Sequence, residues 1–444
     1  MTDHTSDIDS ATVPLAANRA EATPCRWAWV VPEVWTPRML TALEQGVKGG
    51  RWYTLMDKVA ALPTLRAAFT RVKANRGAAG VDHVTVAMFE QHLDTHLATV
   101  SVALQTNTYR PQAIRRQWIP KPGTRERRPL GIPTVRDRVV QTALRLVLEP
   151  IFEVDFAEHS YGFRPQRGAK DALRRVVTLL RTGYTHVVDA DLQSYFDTIP
   201  HAPLRARMAT KVCDGRVLAL LDAFLRQPSF DELVESTPED GTPQGAVISP
   251  LLANLYLDPL DHAMAAAGFE MVRYADDFVV LCRTADDAQR ALRMLQRWTA
   301  AAGLHLHPQK TRLVDMQPPG GFDFLGYHFE RGHRWPRQKS RQKLKDRLRQ
   351  KTGRSHGHSL ACIIADVNRT LRGWFEYFKQ SHGTFKTEDA WVRMRVRAIL
   401  RKRCGHGHHP DWRDHQRWPN AFFAAHGLFS LTQAHATLRR SFSR

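Results

Sequence analysis

The pattern of apolar and polar positions along the chain predicts helices interrupted by a few short apolar strands. Residues 134–156 and 286–303 carry apolar side chains at the spacing of a one-sided helix, and Gly303 is suited to cap the second. Residues 185–201 and 271–281 contain runs of Val and aromatic residues, which are typical of buried strands. This combination predicts an α+β fold.

The C-terminal part of the chain combines basic and aromatic residues in the same segments. Residues 338–350 predict a strongly basic helix, and residues 366–378 and 390–403 predict amphipathic helices that interleave aromatic residues with Arg. Arg and aromatic side chains bind RNA through phosphate pairing and base stacking. The pattern therefore indicates a surface suited to RNA.

The charge distribution agrees with a polyanionic partner. The chain has 444 residues, 43% of them hydrophobic, and a net charge of +20. Residues 331–444 hold 26 Lys and Arg against 7 Asp and Glu, which accounts for +19 of that charge. Such asymmetry favours nucleic acid as the partner of the C-terminal part. A solvated basic face is one alternative. An anionic membrane is a weaker one, because no long basic amphipathic face stands apart from the aromatic residues.

Cysteine usage and hydropathy suggest the compartment. The five cysteines include no Cys-x-x-Cys pair, which fits a reducing environment and argues against a disulfide framework. No uncharged run approaches the ~20 residues that span a bilayer. The N-terminus lacks a basic segment ahead of an apolar core, so we expect no secretion signal. These features predict a soluble intracellular protein that begins with a flexible leader, residues 1–34.

Acidic residues beside the predicted strands give the strongest chemical signal. Asp276 and Asp277 lie at a turn inside 271–281, and Asp191 follows an apolar run upstream. Adjacent carboxylates repel each other and are costly to bury unless a cation lies between them. Carboxylate oxygens bind Mg²⁺, and two such ions can activate a hydroxyl and stabilise a leaving pyrophosphate. The alternative is an ordinary Asp-rich hairpin turn.

Two further segments carry candidate substrate contacts. Residues 110–133 contain seven Lys or Arg and one Glu around Pro and Gly, which predicts a basic hairpin that can hold phosphates. A plain basic surface loop is the alternative. Residues 242–245 read Thr-Pro-Gln-Gly, where Gly245 would let the backbone approach a ligand and Gln244 could bond to a nucleotide sugar. A simple helix-capping turn is the alternative there.

Across residues 35–444 the motifs resemble, in order, those of the group II intron reverse transcriptase/maturase family. They are the Gly-Val-Asp segment near residue 80, IPKPG…RPLGIP, YGFRP, the Asp191 segment, TPQG…SPLLAN, YADD, PQKT, FLGY and RGWFEYF. The resemblance implies a right-hand polymerase with fingers, an antiparallel-sheet palm and an α-helical thumb. It assigns residues 35–330 to the fingers and palm, 331–403 to the thumb and 404–444 to a basic DNA-binding tail.

The resemblance also implies a role for individual residues. Asp191, Asp276 and Asp277 would form the catalytic set and bind two Mg²⁺ ions. Phe196 would be a steric gate against the ribose 2′-hydroxyl. The other expected contacts are Lys121 and Arg128 with the triphosphate, Gln244 with the sugar, Lys310 near the primer end, and Arg393, Arg397 and Arg401 of the thumb with RNA.

The implied activity is RNA-directed DNA synthesis on a group II intron RNA, with help in splicing and mobility of that RNA. The implied partners are the intron RNA, target DNA with a primer strand, and deoxynucleoside triphosphates, with no membrane. The implied location is the cytoplasm, and the nucleoid when the protein is on target DNA. The oligomeric state stays open.

Two other functions compete with this one. A non-catalytic RNA-binding splicing cofactor could use the same scaffold, but the intact set of three Asp residues favours an enzyme. A bacterial reverse transcriptase of phage defence or CRISPR adaptation is the other alternative. The maturase-type thumb and the absence of fused extra domains argue against it.

Three smaller expectations complete the sequence analysis. Asp189 is expected to be structural, facing away from Asp191 or lying at its edge. Residues 404–418 are expected to be a basic linker rather than a zinc site, because one Cys with bunched His lacks paired ligand spacing. No nuclease domain is expected, since the chain ends 13 residues after Leu431.

Overall fold

The computed structural model describes residues 26–46, 50–120, 127–231, 234–236, 240–354, 357–383, 385–405 and 412–442. These ranges hold three β-sheets and many helices, as the α+β prediction requires. No helix in them is long and apolar enough to cross a membrane.

Helices and strands both occur as far as residue 351, and the described elements after it are all helices. The helices are α1 (Pro37–Gln45), α2 (Met56–Ala60), α3 (Leu62–Ala74), α4 (Val86–Gln91), α5 (Leu93–Gln105), α6 (Val135–Glu153), α7 (Ala169–Arg181), α8 (Tyr195–Thr198), α9 (His201–Ala209), α10 (Gly215–Leu225), α11 (Ser249–Ala266), α12 (Ala285–Ala301), α13 (Gln338–Lys351), α14 (Leu360–Phe378), α15 (Lys386–Arg403), α16 (Trp412–Arg417), α17 (Asn420–Ala425) and α18 (Leu431–Phe442). The strands are β1 (Ile114–Pro120), β2 (Arg127–Ile132), β3 (His186–Asp191), β4 (Ser229–Asp231), β5 (Val234–Ser236), β6 (Glu270–Tyr274), β7 (Asp277–Cys282), β8 (Arg312–Asp315), β9 (Phe322–Phe324), β10 (Tyr327–Glu330) and β11 (His333–Pro336).

The N-terminal helices pack around α6, the helix that the apolar spacing of residues 134–156 predicts. The hydroxyl of Thr134 caps α6 by accepting a hydrogen bond from the backbone N–H of Asp137. Almost every residue of α6 is buried, and α3 packs along it. The helix therefore lies at the centre of the helical part of the core, in contact with α2, α3 and α11.

Residues 26–34 belong to this core and not to a leader. Trp27 and Val34 are buried, and the indole N–H of Trp27 donates to Glu44 at 2.7 Å. Lys58 donates to the carbonyl of Val34 at 2.7 Å. Burial stabilises these large apolar side chains, so the predicted leader of residues 1–34 is wrong for residues 26–34. Residues 1–25 lie outside the described ranges.

The basic hairpin predicted within residues 110–133 is present as the antiparallel pair β1 and β2. Strands β4 and β5 extend it into a sheet of order β2-β1-β4-β5. The turn between β1 and β2, residues 121–126, lies outside the described residues.

The central sheet carries the acidic residues and has the order β6-β7-β3-β8, with each neighbouring pair antiparallel. Val188 and Val280 face the core that holds α11 and α12, whereas Val187 and Val279 face the core that holds α7. Both faces of the sheet are thus covered, and the antiparallel-sheet palm is confirmed.

The C-terminal helices form a unit that includes part of the predicted tail. Leu431 is fully buried in a core with Leu344 and Val367. The carboxylate of Asp389 accepts hydrogen bonds from the backbone N–H groups of Leu431 and Thr432, which start α18. Residues 412–442 therefore pack on the thumb helices, and the boundary expected at residue 403 does not separate two bodies.

Candidate active site

The antiparallel register of β3 and β7 brings the predicted acidic residues together. Asp191, the last residue of β3, is the direct partner of Asp277, the first residue of β7. Asp276 precedes it in the two-residue turn that follows β6, where Ala275 has a left-handed φ of +60°. Two strand ends and one tight turn thus place three carboxylates at one end of the palm sheet.

Burial and neighbouring negative charge raise the pKa values of Asp276 and Asp277. Burial, together with the charges of Asp189, Asp276 and Asp191, raises the pKa of Asp277 to about 7. Burial and the charge of Asp191 also raise the pKa of Asp276, while Lys310 opposes that rise. Ionised carboxylates at this end of the sheet repel one another, and a bound cation would reduce that repulsion.

Lys310 supplies a cation to this cluster. Its ammonium lies 2.5 Å from the Asp191 carboxylate, and the backbone N–H of His307 donates to the Asp191 carbonyl at 2.7 Å. Among the described residues, no group of three or more His, Cys, Asp or Glu side chains converges tightly enough to hold a metal ion. The donor set nevertheless fits Mg²⁺ by its chemistry, because hard cations bind carboxylate oxygens and a repulsive carboxylate cluster gains from them.

Asp189 does not face away from Asp191. Residues two apart in a strand point to the same face, so Asp189 and Asp191 share one side of β3. Asp189 pairs with Arg312 on β8, at 3.1 Å. The structural role predicted for Asp189 fits this ion pair, but of the two predicted placements the one facing away from Asp191 is wrong.

A buried arginine holds the turn that carries Asp276. Arg273 is 1% exposed and makes a bidentate ion pair with Asp261, at 2.5 to 3.0 Å. The remaining guanidinium nitrogen of Arg273, Nη1, donates to the side-chain oxygen of Asn254 at 2.9 Å and to the carbonyl of Ala275 at 3.0 Å. Sequence reasoning missed this group. The available signal was a charged residue between apolar and aromatic residues of a predicted strand.

The YGFRP loop supports the same turn from outside the sheet. Gly162 lies so close to it that an added Cβ would be 2.3 Å from the backbone nitrogen of Ala275. The carbonyl of Gly162 accepts a hydrogen bond from the amide of Asn254 at 2.8 Å. The YGFRP, SPLLAN and YADD motifs therefore meet at a single turn, which explains why these residue types occur together.

The residues predicted to select the nucleotide sugar are also brought together. The backbone N–H of Thr242 donates to the carbonyl of Phe196 at 2.6 Å, and the amide of Gln244 donates to Asp197 at 2.8 and 2.9 Å. A pocket of about 320 Å³ opens here between the palm and the finger strands. Its lining includes Arg116, Pro129, Gly131, Asp197, Thr242 and Gln244.

Gly245 has a different role from the one predicted. Its φ is +105°, and an added Cβ would lie 2.3 Å from the carbonyl oxygen of Gly131 on β2. The N–H of Gly131 in turn donates to the carbonyl of Gln244 at 2.6 Å. The close backbone approach that requires glycine here is to a finger strand, and it joins the fingers to the palm.

The side chains of the two predicted triphosphate contacts lie outside the described part of the structure. Lys121 lies outside the described residues, and only the backbone of Arg128 is described, opposite Ile119 in the β1–β2 ladder. Their roles stay predictions. Residues 406–411 of the His-rich segment also lie outside the described ranges.

Two of the three predicted RNA contacts are buried inside the thumb. Arg397 is 5% exposed and donates to the Trp418 carbonyl and to Asn420, both at 2.9 Å. Arg401 is 6% exposed and pairs with Asp414 at 2.6 Å. Burial and these internal partners favour a structural role for both residues in place of the predicted direct contact with RNA. Arg393 is partly buried on the same helix.

Comparison with known proteins identifies a reverse transcriptase region followed by a maturase region. The family model for reverse transcriptase (RNA-dependent DNA polymerase) matches residues 119–329, and that for the group II intron maturase-specific domain matches residues 341–418. Protein YkfC of Escherichia coli (strain K12) is 32% identical over 330 residues, which cover 65% of this chain and 84% of YkfC.

A second relative is a group II intron-encoded protein. The group II intron-encoded protein LtrA of Lactococcus lactis subsp. cremoris is 35% identical over 196 residues, which cover 44% of this chain and about a third (32%) of LtrA. Among solved structures, a telomerase from Candida albicans in complex with a telomeric RNA fragment aligns with a TM-score of 0.42 and 11% identity, over 72% of this chain and 64% of that one. The two family matches and the extent of the YkfC match show that this chain belongs to the family of group II intron-encoded reverse transcriptases and maturases.

Proposed function

We propose that this protein copies a group II intron RNA into DNA, using deoxynucleoside triphosphates and two Mg²⁺ ions, and that it binds the same RNA to assist its splicing and mobility. The observation that carries the proposal is the pairing of Asp191 with Asp277 across β3 and β7, with Asp276 in the adjoining turn. A polymerase needs such a carboxylate cluster beside a nucleotide pocket.

Asp191 and Asp276, with Asp277, are the residues that would hold the metal ions. When bound, Mg²⁺ would supply positive charge to the triphosphate and favour ionisation of the attacking primer hydroxyl. The protein's own contribution is to fix these carboxylates, through the strand register and through Arg273 under the turn. Lys310 partly neutralises Asp191 in the absence of the metal.

Phe196 and Gln244 are the residues proposed to select the nucleotide. Phe196 is partly buried, and its ring packs edge-on against the buried ring of Tyr195, so its position is fixed. A fixed aromatic ring next to the sugar would exclude a ribose 2′-hydroxyl by its bulk. Selection for deoxynucleotides follows from that exclusion, and it makes the product DNA.

The basic C-terminal part is the proposed binding surface for intron RNA, and residues 404–444 for target DNA. The excess of Lys and Arg in residues 331–444 supports this, because each phosphate neutralised by a cation releases counterions. The affinity should therefore fall steeply as the salt concentration rises. Because Arg397 and Arg401 are buried, we propose that other basic residues of the thumb bind the RNA.

Primer extension by the purified protein tests the proposal. The assay measures DNA synthesis on a primed RNA template with and without Mg²⁺, and binding to the intron RNA that flanks the coding region is measured in parallel. Metal-dependent synthesis together with tight binding is expected. Tight binding without any synthesis would instead identify a splicing cofactor that lacks polymerase activity.

A further inference from the structure

The side chain of Gln244 is held in one orientation by Asp197. Its amide nitrogen lies 2.9 Å from one oxygen of the Asp197 carboxylate and 2.8 Å from the other. An ionised carboxylate only accepts hydrogen bonds, so the NH₂ group of Gln244 must face Asp197. The amide oxygen of Gln244 is then directed away from Asp197, and no donor among the described residues is paired with it.

The backbone keeps the two side chains together. The N–H of Gly241 donates to the carbonyl of Ile199 at 2.8 Å, and the N–H of Thr242 donates to the carbonyl of Phe196 at 2.6 Å. Gly241 has a φ of +89°, and an added Cβ would lie 2.8 Å from the carbonyl carbon of Asp197. The segment before Gln244 is thus tied to the segment that carries Phe196 and Asp197.

Both side chains line the pocket between the palm and the fingers. Phe196, which is the residue proposed to test the 2′ position of the sugar, immediately precedes Asp197. An amide oxygen at this place is an acceptor for a hydroxyl donor, and a nucleotide sugar near Phe196 offers its 3′-hydroxyl. The orientation of Gln244 therefore determines which hydrogen-bonding partner the pocket presents to the sugar.

We propose that Asp197 is a positioning residue that turns the amide oxygen of Gln244 toward the 3′-hydroxyl of the incoming nucleotide, so that the enzyme selects nucleotides with a donor at the 3′ position. The inference rests on the proposed polymerase function. It adds a residue that does not touch the substrate itself but sets the chemistry of one that does.

Single-nucleotide addition with two substrates tests the inference. One is a deoxynucleoside triphosphate, and the other is its 3′-fluoro-2′,3′-dideoxy analogue, in which fluorine is similar in size to the hydroxyl but cannot donate. The wild-type protein should prefer the hydroxyl by about 5- to 30-fold in kcat/KM, the range expected for one hydrogen bond. Gln244→Ala and Asp197→Ala should each remove most of that preference.

Asp197→Asn separates orientation from charge and packing. An Asn amide both donates and accepts, so Gln244 could take either orientation, and the preference should fall between those of the wild type and Asp197→Ala. Asp222→Asn, which removes a carboxylate from the neighbouring helix α10, is the matched control and should keep the wild-type preference. Thermal melting confirms that each variant is folded.

The possible outcomes are distinct. A preference that is unchanged in Asp197→Ala, or a rate that falls equally for both nucleotides, would overturn the inference while leaving the polymerase function intact. An unchanged preference in Gln244→Ala would do the same. A wild-type protein that adds neither nucleotide would overturn the proposed function, and the inference with it.

Discussion

Asp191 and Asp277 are direct cross-strand partners at the end of the palm sheet, where two carboxylates meet with partial burial. Like charges directly opposite each other in a sheet destabilise it. The repulsion lowers the stability of the folded protein, and positive charge, from Lys310 or from a bound metal ion, offsets it. This repulsion can be measured through the stability of the folded protein, without an activity assay.

Asp277→Asn should stabilise the metal-free protein at high pH. The pKa of Asp277 is raised to about 7 in the folded state, whereas a carboxyl in an unfolded chain has a pKa near 4. The folded state thus binds the proton more tightly, and the free energy of unfolding falls as the pH rises from about 4 to about 7. Above pH 7 the variant should be more stable by on the order of 2 kcal/mol, and the difference should shrink toward pH 5. Denaturant unfolding with EDTA measures it, and a difference that does not change with pH would contradict the assignment.

Asp276→Asn should abolish DNA synthesis while RNA binding largely survives. The substitution removes one charge from the proposed metal ligands, and metal ions supply several kcal/mol of charge stabilisation to a transition state, so the rate should fall about a hundredfold or more. Primer extension and intron RNA binding are measured on the same preparation. Near-wild-type extension by the variant would remove Asp276 from the catalytic set.

Phe196→Ala should relax the choice between deoxynucleotides and ribonucleotides. The change removes the bulk that is proposed to lie against the sugar, so ribonucleotide incorporation should rise relative to deoxynucleotide incorporation by about tenfold, equivalent to roughly 1.4 kcal/mol. The ratio of kcat/KM values for a matched pair of nucleotides is the measurement. A ratio equal to that of the wild type would show that another side chain acts as the gate.

Arg401→Met should destabilise the thumb because it removes the guanidinium group that pairs with the buried carboxylate of Asp414. Removing one member of a buried ion pair costs about 3–5 kcal/mol, and both side chains here are at most 10% exposed. The double variant Arg401→Met with Asp414→Leu should recover most of that loss. Limited proteolysis of residues 412–442 reports the change, and Arg393→Met, at a partly buried position of the same helix, is the control. If Arg401→Met weakened RNA binding without any loss of stability, the buried-pair interpretation would be wrong.

Local patterns in the sequence predicted the elements that carry the site. Runs such as Val187–Val188 and Val279–Val280 consist of β-branched residues that are buried on both faces of the sheet. Such runs predict strands from the local sequence alone. The acidic residues were visible because carboxylates next to such runs are unusual. The family resemblance then supplied the order of the domains and the thumb.

Partners that are distant in the sequence were not predictable in this way. Arg397 and Arg401 have the spacing of an exposed basic stripe, and only the fold shows that Trp418, Asn420 and Asp414 come back to bind them. The same holds for Gly245, whose close neighbour is a carbonyl more than a hundred residues earlier. Residue type and period indicate which apolar residues are buried, but not which distant residues they contact or which charged residues the fold buries.

Asn254→Ala should weaken the response to Mg²⁺ while leaving template binding intact. Asn254 donates to the carbonyl of Gly162 at 2.8 Å and accepts from Arg273 at 2.9 Å. It therefore joins the YGFRP loop to the arginine that holds the turn carrying Asp276. Losing both bonds in a buried site should cost about 1–3 kcal/mol of support for that turn. We expect the Mg²⁺ concentration for half-maximal synthesis to rise several-fold, because the carboxylate of Asp276 is then held less firmly. A variant that unfolds earlier but keeps the wild-type Mg²⁺ requirement would show that Asn254 stabilises the palm without positioning the turn.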